Sequence, residues 1–330
     1  IMVRLSHKGY YSFQQTDEIA VLYGGAEANV CASLAQYGVG ARFISALPEH
    51  AIGQSALNAL RAFGVETDHV LRQGPRIGIY YAEKGASQRP SKVIYDRADS
   101  SFSQIRPDDI DWDKAFEGIN WFHFTGITPA LGDNVAQCVA DALCVARQRG
   151  IFTSCDLNYR KNLWSTEKAG SVMKELVQGL DLCIANEEDC KDVFGISAPA
   201  TDINAGKLSA DGYLHVAEEM RKRFGIRELG VTLRGSISAS DNEWAALLYD
   251  GQPHFSKTYK VHIVDRVGGG DSFAAALIYA KLNGFDAQKS VEFAAAASCL
   301  KHTIEGDFNL IGIDEAMRLM GGDGSGRVQR

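Results

Sequence analysis

From Ala26 onward, short β-rich runs alternate with stretches of helical periodicity, and this alternation constrains the fold more than any other feature of the chain. It predicts a parallel sheet covered by helices on both faces. The predicted strands are "FISAL" (43–47), "WFHFTG" (121–126), "IFTSCDLN" (151–158), "DLCIAN" (181–186), "ELGVTLR" (228–234) and "KVHIVD" (260–265). Helices lie between them. "EANVCASLAQYG" places Val30, Leu34 and Tyr37 on one face and stops at Gly38, and "GQSALNALRAFG" repeats the design with Leu57, Leu60, Phe63 and Gly64.

Two regions depart from the alternation. Residues 4–22 and 76–98, which include "IGIYYAE" and "KVIYDR", alternate with no helix between them and read as antiparallel ribbon, a small β-lid on the main sheet. Residues 197–212 read as a helix-poor surface loop, and "GGDGSGRVQR" as a flexible tail. With 330 residues and 45% apolar content the core is ample, and residues 1–330 are read as one α/β domain carrying the lid.

The charge balance narrows the partners. Thirty-four basic and 41 acidic residues give a net charge of −7, with no run of five Lys or Arg, which argues against nucleic acid or an anionic membrane and for small molecules. Seven cysteines (31, 138, 144, 155, 183, 190, 299) form no C-x-x-C pair and suit buried thiols in a reducing compartment. "FAAALIYA" is too short to span a membrane, and "IMVRLSHKGYYSF" lacks a signal-peptide pattern, so a cytoplasmic location is expected.

The chemistry concentrates in "VHIVDRVGGGDSFAAALIYAKLNG" (261–284), where Gly268, Gly269 and Gly270 separate a strand from a helix and stand between Asp265 and Asp271. Such a turn lies at the carboxyl end of the strands, where ligands bind, and a helix N-terminus offers unpaired N–H groups to an anion. Locally, Asp271 reads equally well as an N-cap. A carboxylate beside an anion site gains a purpose if the anion is a transferring phosphoryl group and the carboxylate accepts the proton of the attacking hydroxyl; an ordinary low pKa suffices there. The P-loop, the dinucleotide fingerprint, H-E-x-x-H and the G-x-S-x-G elbow are all absent from the sequence.

"DRVGGGD" (265–271) resembles the D-T-x-G-A-G-D signature of the ribokinase-like (PfkB) sugar kinases, and "YGGAEANVCASLAQYG" (23–38) resembles their N-terminal glycine-pair motif. "GGAEAN", "DLNYRKNLW" (156–164), "VDRVGGGDSF" and "KHTIEGDFN" (301–309) are similar to the members acting on 2-keto-3-deoxygluconate, an acid sugar. The resemblance implies a ribokinase-like three-layer α/β/α sheet with a β-lid, whose first strand is expected before Ile1. It implies ATP and Mg²⁺, with Asp271 as base and Gly268, Gly269 and Gly270 as the anion hole. Gly24, Gly25, Asn29, Tyr80, Tyr95, Arg97, Arg160 and Asp307 would meet the sugar, and Asn158, Asn186, Thr232, Arg234 and Gly235 the nucleotide. The family's N-x-x-E element reads "NEED", so Glu188 or Asp189 would take the metal role; Arg266 replaces a small hydroxyl residue, and a monovalent cation such as K⁺ is raised near Asp265.

An acid sugar in a closed site needs a cationic partner, and the planar fork of arginine suits a carboxylate. Arg160 follows a predicted strand end and Arg97 ends a lid ribbon. Singly, each reads as a solvated surface residue, and the lid tyrosines as sheet cover. His123 reads as a core histidine. The function expected is ATP-dependent phosphorylation of the terminal hydroxyl of 2-dehydro-3-deoxy-D-gluconate. Its rivals are a kinase for the galacto epimer or for a neutral sugar such as fructose or ribose, and a non-catalytic sugar-binding regulator. A nicotinamide oxidoreductase is the remotest. The exposed ribbon edge at 76–98 suggests a homodimer or higher homo-oligomer.

Overall fold

The computed structural model describes residues 1–15, 18–197 and 210–324. In chain order the strands are β1 (Met2–Ser6), β2 (Ala20–Gly24), β3 (Ser45–Leu47), β4 (Val70–Arg72), β5 (Ile79–Glu83), β6 (Lys92–Asp96) and β7 (Trp121–Thr125). There follow β8 (Phe152–Asp156), β9 (Leu182–Ala185), β10 (Glu228–Ser236), β11 (Asp241–Tyr249), β12 (Pro253–Phe255) and β13 (Tyr259–His262). The helices are α1 (Ala26–Gln36), α2 (Ala51–Arg61), α3 (Trp112–Ala115), α4 (Asp133–Gln148) and α5 (Thr166–Leu176). They continue with α6 (Glu187–Phe194), α7 (Ala210–Phe224), α8 (Gly269–Leu282), α9 (Ala287–Lys301) and α10 (Ile313–Met320).

The main sheet has the order β12-β11-β10-β9-β8-β7, with β13 also paired to β11. Strands β7 to β10 are parallel, as the alternation predicts. Strand β11 runs antiparallel to β10, and β13 runs antiparallel to β11. The two reversals cancel. The glycine turn after β13 therefore emerges at the same rim as the carboxyl ends of β7 to β10, although β13 is not the parallel neighbour that the sequence suggests.

Side-chain alternation distributes the core between two layers of helices. On β9, Cys183 and Ala185 face a cluster with Met173 of α5, Cys190 of α6 and Met220 of α7, while Leu182 and Ile184 face Phe273 of α8 and Phe293 of α9. Helix α8 lies in the second layer, between the sheet, α1 and α9. Ala274, Ala275, Ala276 and Ala280 let those neighbours approach closely, and Phe273 fills the remaining space, a burial that contributes about 2 kcal/mol.

The lid is a separate four-stranded sheet of order β2-β1-β5-β6. Its two ribbons are antiparallel, as predicted, and β1 joins β5 in parallel. Two predicted strands need correction, and a third strand is unforeseen. "FISAL" yields only β3, which pairs with β4 outside the main sheet. "KVHIVD" gives a strand only to His262. Strand β11 went unpredicted because "WAALLY" is buried on both faces and lacks alternation. Of the predicted loop 197–212, residues 198–209 lie outside the described residues, and Ala210 already opens α7; of the tail, 325–330 lie outside them. Five of the seven cysteines are buried. Among the described residues no helix is long and apolar enough to cross a membrane.

Candidate active site

Helix α8 opens at Gly269, with Gly268 as N-cap at φ 86°. The three glycines answer different demands. A methyl group at Gly268 would stand 2.1 Å from the carbonyl oxygen of Asp307, and one at Gly269 would stand 2.4 Å from the His302 ring. At Gly270 it would meet nothing within 4 Å. The back of the turn is thus packed, and its front is open. Ser298 Oγ donates to the Gly269 carbonyl at 2.7 Å, and His302 Nδ1–H donates to the Ser298 carbonyl at 2.7 Å. Burial lowers the His302 pKa to about 4, which keeps this brace neutral.

Asp271 is the third residue of α8 and not its cap. Its carboxylate accepts a hydrogen bond from Asn29 Nδ2 at 2.6 Å. The Asn29 amide is oriented in turn by the Gly25 N–H, which donates to Oδ1 at 3.2 Å. Burial pushes the Asp271 carboxyl up to about 7, with Asp307 and Glu27 adding to the rise while the Asn29 bond and Arg160 oppose it. The ordinary low value expected from the sequence is therefore replaced by one near neutrality.

Behind the turn lies a buried ionic cluster. Arg4, from lid strand β1, donates from Nη2 to Asp265 Oδ2 at 2.6 Å and from Nη1 to Asp307 Oδ1 at 2.8 Å. Asp265 also accepts from the N–H groups of Val267 and Gly306, both at 3.1 Å. Tyr80 donates its hydroxyl to Asp307 Oδ2. Gly24 is required by this cluster, since a methyl group there would stand 2.0 Å from Asp307 Oδ2. Asp307, expected to touch the sugar, is 3% exposed and committed to Arg4 and Tyr80, so its place is support for the pocket wall.

On the lid, Tyr95 lies with its ring centroid 5.9 Å from that of Tyr80, and the Arg97 guanidinium sits 4.2 Å over the Tyr95 ring. Arg97 and Arg160 are close enough to repel, and burial together with that repulsion lowers the Arg97 pKa, against the pull of Tyr95. Among the described residues neither arginine forms an ion pair. Among the described residues Arg97 Nε is buried without a partner, and Arg160 donates to the Tyr159 carbonyl alone, at 2.9 Å.

On the other side, Thr232, Arg234 and Gly235 lie along β10. Arg234 is exposed and shares a field with Arg266 and His302, which places it beside the glycine turn. Arg266 itself clamps the β10–β11 connection, donating from Nη2 to the carbonyls of Ser238 and Ala239 at 2.9 and 2.8 Å and to Asn242 Oδ1 at 3.0 Å. Asn186 is the N-cap of α6, its Oδ1 accepting from the Asp189 N–H at 2.7 Å. Asn158 adopts a left-handed φ of 39°, its N–H donating to Asp156 Oδ1 at 3.1 Å.

Of the two metal candidates, Glu188 is exposed and Asp189 is buried beside Asp156. Burial pushes Asp189 up to about 6, against Arg160 and the N–H groups of Tyr159 and Asn186. Burial raises Asp156 further, and the charges of Asp189 and Asp271 add to it. Among the described residues no group of three His, Cys, Asp or Glu side chains forms a metal cluster. Two carboxylates still fit Mg²⁺ of the kind completed by substrate phosphates.

Arg4, Glu27 and Asp156 belong to this neighbourhood without being expected there from the sequence. Glu27 Oε1 accepts from Thr125 N, Thr125 Oγ1 and Thr128 Oγ1 at 3.0, 2.8 and 2.5 Å and so ties α1 to the end of β7. Asp156 stands in the quoted "DLNYR" and was signalled by its strand-end position. A cavity of about 450 Å³ between β3 and β7 is lined by apolar residues such as Phe43, Phe102, Trp112 and Phe124 and by none of the predicted site residues.

This geometry has relatives. A 2-dehydro-3-deoxygluconokinase from Thermotoga maritima, known as a crystal structure, aligns over 97% of this chain and 97% of its own with a TM-score of 0.94 and 51% identity. The 2-dehydro-3-deoxygalactonokinase of Haloferax volcanii is 30% identical over 325 residues, 98% of this chain and 96% of that protein. The 2-dehydro-3-deoxygluconokinase of Thermoproteus tenax is 29% identical over 86% of this chain and 80% of that protein. The family description "pfkB family carbohydrate kinase" matches residues 3–309, which hold the glycine turn, Asp271 and the lid. The chain belongs to the pfkB family of carbohydrate kinases.

Proposed function

We propose that this carbohydrate kinase transfers the γ-phosphoryl group of ATP to the terminal primary hydroxyl of 2-dehydro-3-deoxy-D-gluconate. The observation that carries the reading is the pair Arg97 and Arg160, two neighbouring guanidiniums that form no ion pair within 4.0 Å among the described residues, although Arg160 shares the field of Asp156, Asp189 and Asp271. A sugar acid supplies an anion that both forks can hold directly. Bidentate guanidinium–carboxylate bonds are strong in a closed site, whereas a neutral sugar would leave the two cations repelling each other. The names of the Thermotoga maritima and Thermoproteus tenax relatives agree with this substrate, and that of the Haloferax volcanii relative makes its galacto epimer the second reading.

Asp271 accepts the proton of the attacking hydroxyl on the oxygen not held by Asn29. The sugar oxygen bonds to the γ-phosphorus as the bond to the β,γ-bridging oxygen breaks, and ADP leaves. A base with a pKa near 7 is matched to this task at neutral pH. The N–H of Gly270, at the open front of the turn, meets the charge on the phosphoryl oxygens. Asp189 and Asp156 are the residues that would hold Mg²⁺, which when bound neutralises phosphate charge. A K⁺ site at Asp265 has less support, because both oxygens of that carboxylate already accept hydrogen bonds. The lid brings Tyr95 and Arg97 over the sugar and excludes the water that would otherwise hydrolyse ATP.

Substituting Arg160→Leu tests the reading. KM for the acid sugar should rise at least about tenfold, as expected when a charge-assisted bidentate contact is lost. An unchanged KM would contradict it.

A further inference from the structure

Lys301, the last residue of α9, has no role in the chemistry above and is fully buried. Among the described residues its ammonium forms no ion pair within 4.0 Å; Nζ donates instead to the carbonyl oxygens of Gly306 at 2.9 Å and Ile304 at 3.3 Å. The side chain passes directly behind the glycine turn, since a methyl group at Gly268 would stand 3.1 Å from Lys301 Cε. Burying a full charge to tie two carbonyls costs several kcal/mol that a neutral donor would avoid. The charge gains a purpose from what lies in front of it. The turn presents its open side to the site read for the phosphoryl group. Burial lowers the Lys301 pKa, while Asp265, Asp307 and Asp271 favour the ammonium, and a cation one layer behind the turn acts through protein, where water screens little.

We propose that Lys301 is a positioning residue for phosphoryl transfer: it fastens the 304–306 loop against Gly268 and supplies a built-in positive charge behind the γ-phosphate site. The proposal rests on the reading of the glycine turn as that site and not on the identity of the sugar. A competing role is charge balance, because Arg4 and Lys301 together neutralise Asp265 and Asp307. The two roles predict different losses.

The test compares Mg²⁺-dependent binding of ADP and of the non-hydrolysable ATP analogue AMP-PNP to wild type and Lys301→Met, a measurement that needs no sugar. The proposal expects ADP affinity to hold within about twofold and AMP-PNP affinity to fall about tenfold. Turnover on whichever sugar the wild type accepts should fall about tenfold with sugar KM held, and ammonium ions small enough to enter the vacated space should restore part of it. A folded variant with a lowered melting temperature but the wild-type ratio of the two affinities would assign Lys301 to charge balance and overturn the proposal. Should Lys301→Met not fold, Lys301→Gln keeps a donor for Gly306 and removes the charge, and the same comparison applies. Failure of both to fold would make the lysine a stability residue and also overturn it.

Discussion

Asp271 is placed between two requirements. Its half-burial favours the protonated form, while Asn29 and Arg160 favour the carboxylate, and the balance falls at a pKa of about 7. A protonated carboxyl cannot accept a proton, so kcat/KM should fall about tenfold per pH unit below that value and level off above it. The Asp271→Asn enzyme should keep its sugar affinity and lose about three orders of magnitude in kcat. Stability should move the opposite way. A carboxyl whose pKa is higher folded than unfolded contributes stability fully at low pH and loses it as the pH rises through the folded pKa. Removing the charge should therefore raise the melting temperature at pH 8, by the equivalent of about 1 kcal/mol after allowing for solvent screening at a partly exposed group, and have little effect near pH 4. Thermal unfolding of the two proteins at both pH values checks the sign; a destabilised Asn variant at pH 8 would contradict the account.

Among elements, the turn before α8 joins local code to long-range support. Gly268 and Gly270 are adjacent in kind but not in function. Gly268→Ala forces a side chain into left-handed backbone and against the Asp307 carbonyl, and should cost about 2–3 kcal/mol of stability. Gly270→Ala faces open space and should change stability by less than about 1 kcal/mol while lowering kcat at least about tenfold, because the added methyl projects where the phosphoryl group must approach. Denaturant unfolding paired with steady-state kinetics separates the two effects. Equal losses of stability would show that the front of the turn is not open. The turn itself was legible in the sequence because its glycines, its helix and Asp271 are contiguous. What fixes it from behind was not: Arg4 and Asp307 are 303 positions apart, and no periodicity connects them. Asn186 shows the converse, a local signal that serves as a helix cap, and β11 was hidden because a strand buried on both faces loses its alternation.

At the scale of the molecule, the alternation of strands and helices was sufficient for the α/β architecture and the ribbons for the lid, since both are written in short-range periodicity. How the lid docks depends on single long-range contacts, chiefly Arg4 in β1 and Tyr80 in β5. The outer lid strands β2 and β6 carry exposed apolar residues, with Val21 at 56% and Ile94 at 62% exposure. We infer that copies of the chain pair across these edges into a homo-oligomer. Light scattering on the purified chain should give at least a dimer mass, and Ile94→Lys should lower it; a monomer at working concentrations would contradict this. Whether this kinase acts on an acid sugar is decided by a coupled assay of ADP release with ATP and Mg²⁺, comparing 2-dehydro-3-deoxygluconate, its galacto epimer, fructose, ribose and no sugar. Turnover is expected with the acid sugars alone, and preference for fructose or ribose would overturn the assignment.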